Sequence, residues 1–380
     1  MTDTIKPPIQ KILFGCPGTG KSYKIREIAE NQLNITFDSD TKILKNTVKT
    51  VFHPEYTYGD FMGKLLPLTQ GTNVMYKFYP GHFLKVLGMA YRGLIEGNNE
   101  HYLLVIDELN RGNAAAIFGT VFQLLDRESD HWSSYEVDVS EMELVGLLNS
   151  MGYKINVLSD GSIKIHENRT TENLFDTFCK ELEIDLKNKS NNNGLRVLEL
   201  LKQNKISIPQ NLSIIATINT SDESIYYLDT AFKRRWSYEQ ISIESSKKMF
   251  ELKYKEILNE VKLVIPNGQK STIELEWIPI LEGINEIIKD NYKTIKRIED
   301  KQIGFWFIKP DDSGKIHLKE IQSKLMFYLW DSVFARDKRP LEEFISKAVQ
   351  TDVKLITYDD FVKYTKNIFE YLDEQKPIPF

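Results

Sequence analysis

Eight residues near the start of the chain, Gly15-Cys16-Pro17-Gly18-Thr19-Gly20-Lys21-Ser22, have the types and spacing to hold phosphate. They fit the P-loop pattern G-x-x-x-x-G-K-[ST]. Glycines at this spacing let successive backbone N–H groups turn inward on an anion. A helix that starts at the end of the loop adds positive potential. Lys21 is the residue that reaches the β- and γ-phosphates, and Ser22 offers its hydroxyl to Mg²⁺. Gly15, Pro17, Gly18, Thr19, Gly20 and Tyr23 complete the stretch expected to contact the nucleotide. Ile12-Leu13-Phe14 reads as a strand entering the loop, and Tyr23 to Ala29 as a helix leaving it.

A second set of candidates ends another apolar run. His101 to Ile106 has strand length, and Asp107-Glu108 follow directly. Four apolar residues before two carboxylates form a Walker B pattern. Asp107 is placed to bind Mg²⁺, directly or through water, and Glu108 to orient the attacking water. In Ile214-Ile215-Ala216-Thr217-Ile218-Asn219, a polar residue ends a buried strand, which reads as a sensor 1 position. Asn219 would bond the γ-phosphate or the lytic water. Last, Arg234 and Arg235 close the run Leu228-Asp229-Thr230-Ala231-Phe232-Lys233-Arg234-Arg235-Trp236. In ring-shaped NTPases an arginine here completes the neighbour's site, because its charge is fixed and its fork matches phosphate oxygens. The sequence does not rank the two.

The elements that must position these residues alternate. Residues 47–53 read as a strand, Gly81 to Glu96 as a helix, and Ser213 to Ile218 as a strand buried on both faces. That order argues for a doubly wound α/β core. Residues from about 133 to 209 interrupt it with an expected helix at Glu141 to Ser150. A hairpin follows around Ser159-Asp160-Gly161, then a helix over Leu174 to Leu186 and a mobile polar loop over Lys187 to Gly194. From about Ser242 the pattern turns to Lys/Glu-rich amphipathic segments, Ser245 to Lys262, Pro279 to Tyr292 and Leu318 to Phe334, with a small hairpin expected at Gly304 to His317. Trp277, Trp306 and Trp330 are expected in that core. The predicted organisation is an α/β domain over 1–241 and a mostly helical lid over 242–380.

The bulk properties fit a two-domain, water-exposed protein. The 380 residues are 41% hydrophobic and 27% charged, with a net charge of −5. No strongly basic balance marks nucleic acid as the dominant partner. Two cysteines, Cys16 and Cys179, give no disulfide framework and suit a reducing cytoplasm. The polar start with Pro7-Pro8 is not a signal peptide, and no apolar run is long enough for a membrane. The six histidines are scattered without metal-ligand spacing. No nuclease-like carboxylate pattern stands out, so no cleavage by this chain alone is expected.

Taken in order, the motifs carry a family resemblance. The P-loop, Ile-Asp-Glu-Leu-Asn-Arg-Gly-Asn (106–113), Ile-Phe-Gly-Thr-Val-Phe-Gln-Leu-Leu-Asp (117–126), Ile-Asn-Thr-Ser-Asp-Glu-Ser-Ile (218–225) and the Arg234-Arg235 run make the chain similar to the McrB branch of the AAA+ superfamily. Phe52-His53-Pro54-Glu55-Tyr56-Thr57-Tyr58-Gly59-Asp60-Phe61 belongs to the same pattern. The resemblance spans roughly residues 11–240. It implies an AAA+ P-loop core with a helical lid, and a homo-oligomeric ring, hexameric in that family, with nucleotide between subunits. It also implies Mg²⁺-dependent hydrolysis of GTP, or ATP. An McrC-like nuclease partner would serve a modification-dependent restriction system, with DNA reached through the assembly. By the same resemblance Asn110 lies close to the lytic water.

Three departures qualify it. Asn219-Thr220-Ser221-Asp222-Glu223-Ser224 replaces the usual Asn-Thr-Ala-Asp-Arg-Ser, so Glu223 reverses a charge near the expected subunit boundary. The P-loop begins at residue 15, so the expectation is a motor without the family's N-terminal DNA-recognition domain. The 133–209 insertion is longer than expected. Base identity is not written in the loop, which reads phosphates, and Asn188-Lys189-Ser190-Asn191 lacks the Asp of a small-GTPase guanine motif. The alternatives are a MoxR-like ATPase remodelling a protein partner, and a nucleotide-gated scaffold that recruits an effector through the insertion.

Overall fold

Two continuous apolar runs, Tyr102–Asp107 and Leu212–Asn219, pair in parallel inside one sheet, with Ala216 opposite Ile106. Their side chains from Leu103 to Ile106 and from Leu212 to Ala216 are buried, as a strand covered on both faces requires. The chain, a computed structural model, is described over residues 6–70, 73–158, 160–168, 171–219, 226–255, 261–267 and 271–375. The parallel sheet has five strands, in the order Ser237–Gln240, Gln10–Gly15, Leu212–Asn219, Tyr102–Asp107 and Thr47–Val51. The expected α/β core is therefore present. Contacts divide the chain into one unit of residues 1–13, 22–218 and 224–239, and a second of 14–21, 219–223 and 240–380.

In the first unit the helix His82–Glu96 is buried on nearly every side, from Phe83 and Leu84 through Tyr91 to Leu94. Gly97, at φ 71°, ends it in the left-handed conformation and returns its N–H to the carbonyls of Gly93 and Leu94. The interrupting segment covers this helix. Its neck closes where Val137–Asp138 pairs antiparallel with Lys205–Ile206. Inside lie the helix Glu141–Ser150, a three-stranded antiparallel sheet built from Lys154–Val157, Ile163–Asn168 and Thr171–Leu174, and the helices Phe175–Asn188 and Asn192–Lys202. A capping box starts the first helix: Ser140 Oγ accepts from the Glu143 N–H, and the Glu143 carboxylate accepts from the Ser140 N–H.

The helices Glu141–Ser150 and Asn192–Lys202 both pack on His82–Glu96. One close contact joins the first pair, and a pair of hydrogen bonds ties His82–Glu96 to the chain beyond Lys205–Ile206. A side chain at Gly88 would begin 2.5 Å from Ser150 Cβ. The Tyr91 hydroxyl donates to the Ser207 carbonyl and accepts from the Ser207 N–H, at 2.8 and 2.9 Å. The insertion is thus part of the first unit's core.

Three local expectations are corrected, and one element is new. Lys187 to Gly194 is no mobile loop. It holds the end of one helix, a short turn at 189–191 and the start of the next, with Asn191 capping Gly194 N–H and donating to the Leu94 carbonyl. The polar side chains that suggested a loop are capping groups. The hairpin expected at Gly304 to His317 lies instead at Lys262–Asn267 and Ser271–Glu276, and Lys315–His317 joins it as a parallel third strand. The helix expected over Ser245 to Lys262 runs from Ile243 to Lys255, and Lys262 already belongs to a strand. A hairpin of Gly63–Gln70 and Asn73–Pro80 was not foreseen. Its base is held by Phe78, which is buried over Gly63 and Gly146, while Leu65, Val74 and Tyr76 are exposed.

The second unit packs the helices Trp277–Asp290, Arg339–Val349 and Thr365–Glu374 with a helical stretch over 318–333 around one apolar core. Trp277 is fully buried in it, and Trp306 and Trp330 pack against it. Replacing Gly88 by Ala should overpack the contact with Ser150 and destabilise the first unit by about 1–3 kcal/mol, read as a lower denaturation midpoint. An unchanged midpoint would show that the two helices are not in register-fixing contact.

Candidate functional site

The carboxylates come first, because the strand pair places them. With Ala216 opposite Ile106, Thr217 falls beside Asp107. The Thr217 hydroxyl donates to Asp107 Oδ1 at 3.0 Å and accepts from the Glu108 N–H at 3.2 Å. One hydroxyl therefore orients the first carboxylate and anchors the backbone of the second. Glu108 leaves the strand at φ 56°, ψ 45°, a left-handed conformation that residues other than glycine seldom adopt. Such an outlier turns the chain sharply off the strand end, and strained backbone of this kind gathers at functional sites. Asn110 follows in a single 3-10 turn, buried, and its carbonyl accepts from the Tyr226 N–H at 2.7 Å. The cap of the next helix is Asn113, so Asp107 is not serving as an N-cap. Asn219 is the last residue of its strand. Glu223 lies outside the described residues.

Within the second unit, the phosphate loop is gripped from outside. Gly18 and Gly20 take φ of 76° and 87°. Lys21 Nζ donates to the carbonyls of Gly15 and Cys16, at 2.9 and 3.2 Å, and Thr19 Oγ1 donates to the Cys16 carbonyl at 3.0 Å. The next two carbonyls are taken by the segment 303–306. Gly304 N–H donates to Pro17 and Trp306 N–H to Gly18, at 2.9 and 2.8 Å. The alternate N–H groups of that segment point the other way. Ile303 donates to Asn285 Oδ1 at 2.8 Å and Phe305 to Ser246 Oγ at 3.2 Å. Asn285 also donates to the Ile303 carbonyl at 2.8 Å, so it clasps that residue twice.

Contact distances explain the glycines. A side chain at Gly304 would begin 2.2 Å from the Gly18 carbonyl, one at Gly18 2.6 Å from the Phe307 backbone, and one at Gly20 2.8 Å from the Trp306 indole nitrogen. A cavity of about 390 Å³ opens beside Gly15 and Cys16, lined by Ile241, Ile243, Asp300 and Gln302 among others. Burial pushes the Cys16 thiol up to about 12, so it is an inert thiol at neutral pH.

The two arginines occupy different settings in the first unit. The Arg235 guanidinium is nearly buried. It is paired to Asp126 at 2.6 Å, bonded to the Ala231 carbonyl at 2.8 Å, and stacked 4.0 Å from the Phe122 ring centroid. Arg234 caps the helix Thr230–Lys233 and its side chain is exposed.

The family stretch 117–126 has a packing role. Phe118 lies within 4.7–6.4 Å, centroid to centroid, of Phe52, Phe61, Phe232 and Trp236. Among the described residues no group of three or more His, Cys, Asp or Glu could hold a metal ion, and no helix is long and apolar enough to cross a membrane.

No family model matches the chain. It is 27% identical over 387 residues to the type II restriction enzyme BsuMI component YdiS of Bacillus subtilis (strain 168), covering 96% of this chain and 88% of that protein. A second relative is the type IV methyl-directed restriction enzyme EcoKMcrB subunit of Escherichia coli (strain K12), 28% identical over 167 residues, 41% of this chain and 33% of that protein. Over nearly its whole length the chain is thus similar to a restriction-enzyme component, and over part of it to an McrB subunit. Among solved structures, a putative ATPase from Cytophaga hutchinsonii aligns with 97% of this chain and 78% of its own at 10% identity, with a TM-score of 0.27.

Sequence reasoning missed Thr217, Asn285, Ser246 and Gly304. Thr217 carried a signal, a hydroxyl two residues before Asn219 in an otherwise apolar run. The other three act across the fold and carried none. Replacing Gly304 by Ala should free the segment from the loop. The amides of 304–306 should then exchange with solvent at least roughly 10-fold faster, since a tenfold change is about 1.4 kcal/mol, while the helix Trp277–Asp290 keeps its protection. Unchanged exchange at 304–306 would contradict the grip described.

Proposed function

We propose that this chain is the motor subunit of an McrBC-like restriction system, an oligomer that hydrolyses GTP or ATP at sites shared between subunits and acts with an McrC-like nuclease partner. The observation that supports it most is the Asp107–Thr217–Glu108 arrangement at the carboxyl edge of the parallel sheet, where open α/β sheets bind ligand. The likeness over 96% of the chain to a restriction-enzyme component supports the setting.

In this reading Gly15, Pro17, Gly18, Thr19, Gly20, Lys21, Ser22 and Tyr23 hold the triphosphate, with Lys21 moving its ammonium from the loop carbonyls to the phosphates. The base takes the cavity beside Gly15 and Cys16. Ser22 and Asp107 are oxygen donors, the kind a hard cation such as Mg²⁺ prefers, so the residues fit that ion. When bound, Mg²⁺ supplies charge neutralisation at the phosphate oxygens. Glu108 orients and polarises the water for in-line attack on the γ-phosphorus, with Asn219 and Asn110 as further polar partners. Of the paired arginines, Arg235 is committed to Asp126 and Phe122 of its own subunit. Arg234 is therefore the one offered to the neighbour's γ-phosphate.

Three substitutions test the scheme by nucleotide binding and phosphate release. Lys21→Ala should abolish binding. Glu108→Gln should keep binding and lower turnover at least roughly 100-fold, the scale of general-base loss. Arg234→Ala should lower turnover of the assembly while leaving the subunit's melting midpoint unchanged, whereas Arg235→Ala should lower the midpoint. Normal turnover by Glu108→Gln, or by Arg234→Ala, would overturn the corresponding role.

A further inference from the structure

We infer, on the reading that sites are shared between subunits, that Gln10 and Arg127 are positioning residues for Arg234, fixing the backbone from which its side chain reaches the neighbour. Arg234 is exposed, and its own N–H donates to the Thr230 carbonyl at 3.1 Å. The residue after it is held from two sides. The Arg235 guanidinium is engaged by Asp126, the Ala231 carbonyl and the Phe122 ring. The Arg235 carbonyl is taken separately, by Gln10 Nε2 at 2.6 Å.

Gln10 is the hub of a small polar network. Its amide nitrogen also donates to the Leu125 carbonyl at 2.8 Å, and its amide oxygen accepts from Arg127 Nε at 3.2 Å. Donors and acceptor of the amide are thus all engaged, which fixes the orientation of the side chain. Arg127 is engaged in the same way. Its terminal nitrogens donate to the carbonyls of His131, Pro209 and Leu212, at 2.9, 3.0 and 2.8 Å. The acceptors of this guanidinium are neutral groups, so it gains little from charge pairing. What it contributes is a rigid fork that ties Gln10 to the start of the strand Leu212–Asn219. Residues 125–127 therefore grip Gln10 twice, through the Leu125 carbonyl and Arg127, and Arg235 once, through Asp126.

Where the network lies decides which site it serves. Gln10 and Leu212 open their strands, and Ser237, whose hydroxyl donates to the Gln10 carbonyl at 3.0 Å, opens another. Asp107 closes a strand whose first residue, Tyr102, is paired with Leu212. The network and the carboxylates therefore stand at opposite edges of the sheet, a strand length or about 16 Å apart at about 3.3 Å per residue. Arg234 is thus presented at the edge away from its own subunit's Asp107 and Glu108. A group that acts on another chain is not oriented by its own site, so its placement depends on the backbone that carries it. Misplacement by about 1 Å can cost about 10²-fold in rate.

The test places Gln10→Met, which keeps the side chain's length and removes its hydrogen bonds, in one member of a mixed assembly at a time. Lys21→Ala subunits supply Arg234 without a working loop, and Arg234→Ala subunits supply the loop and carboxylates. Phosphate release by the mixture of these two, with GTP and with ATP at saturation, is the reference. Gln10→Met added to the Lys21→Ala subunit should lower release at least roughly tenfold. The same change added to the Arg234→Ala subunit should leave release unchanged. Arg127→Lys, which loses the fork, should show the same one-sided loss. Equal loss from either side would mark a general structural role, and loss only from the loop-supplying side would mark an effect on the subunit's own loop. Either result, or full release with Gln10→Met on the arginine-supplying side, would overturn the inference. A reference mixture that releases no phosphate, with mixed assemblies shown to form, would remove the shared-site reading and the inference with it.

Discussion

The structure depends on the parallel pairing of Tyr102–Asp107 with Leu212–Asn219. Both strands are buried on both faces, so their backbone groups can be satisfied only by each other and by the adjacent strands. That requirement fixes the register, because a slip of one residue would turn every side chain to the opposite face. With the register fixed, Asp107, Thr217 and Asn219 must emerge at one edge. The hydroxyl between Asp107 and Glu108 then does locally what the register does globally: it orients the carboxylate of the first and anchors the backbone of the second. Where the apolar runs end decides where these polar residues emerge.

The phosphate loop is held by a related device. Four consecutive N–H groups, from Ile303 to Trp306, alternate between the second unit's interior and the loop. Asn285 and Ser246 take the inward pair, Pro17 and Gly18 the outward pair. A buried N–H without a partner costs about 1–3 kcal/mol, so neither set can be lost without consequence for the other. The carbonyl side of the loop is the side engaged, which leaves the amide side as the part of the peptide units that can face an anion. Loop shape is thereby tied to a segment almost three hundred residues away in sequence.

What could be read in advance follows from range. The glycine-rich loop, the Asp107-Glu108 pair and the apolar strands are local patterns, and the strand before the loop, the helix after it and the strand ending at Asp107 lie where those patterns indicated. The capping pair Ser140 and Glu143 is also local. Asn188 to Asn191 misled because capping asparagines and loop asparagines look alike until a helix is known to follow. The hairpin at Gly63 to Pro80 escaped notice because its exposed apolar residues, such as Leu65 and Val74, break the alternation that marks a half-buried strand. The distinction between Arg234 and Arg235 rests on Asp126, 109 residues earlier, and no spacing rule reaches that far.

The central claim is that each catalytic site is divided between two subunits, with Lys21 and Glu108 on one and Arg234 on the next. Mixing two inactive proteins tests it most directly. Lys21→Ala subunits keep Arg234, and Arg234→Ala subunits keep Lys21 and Glu108. Phosphate release measured over a series of mixing ratios should rise from near zero in either pure protein to a maximum in the mixture, as intact halves meet across interfaces. Phosphate release that stays at the level of the pure variants at every ratio, with mixed assemblies shown to form, would contradict a site shared between subunits.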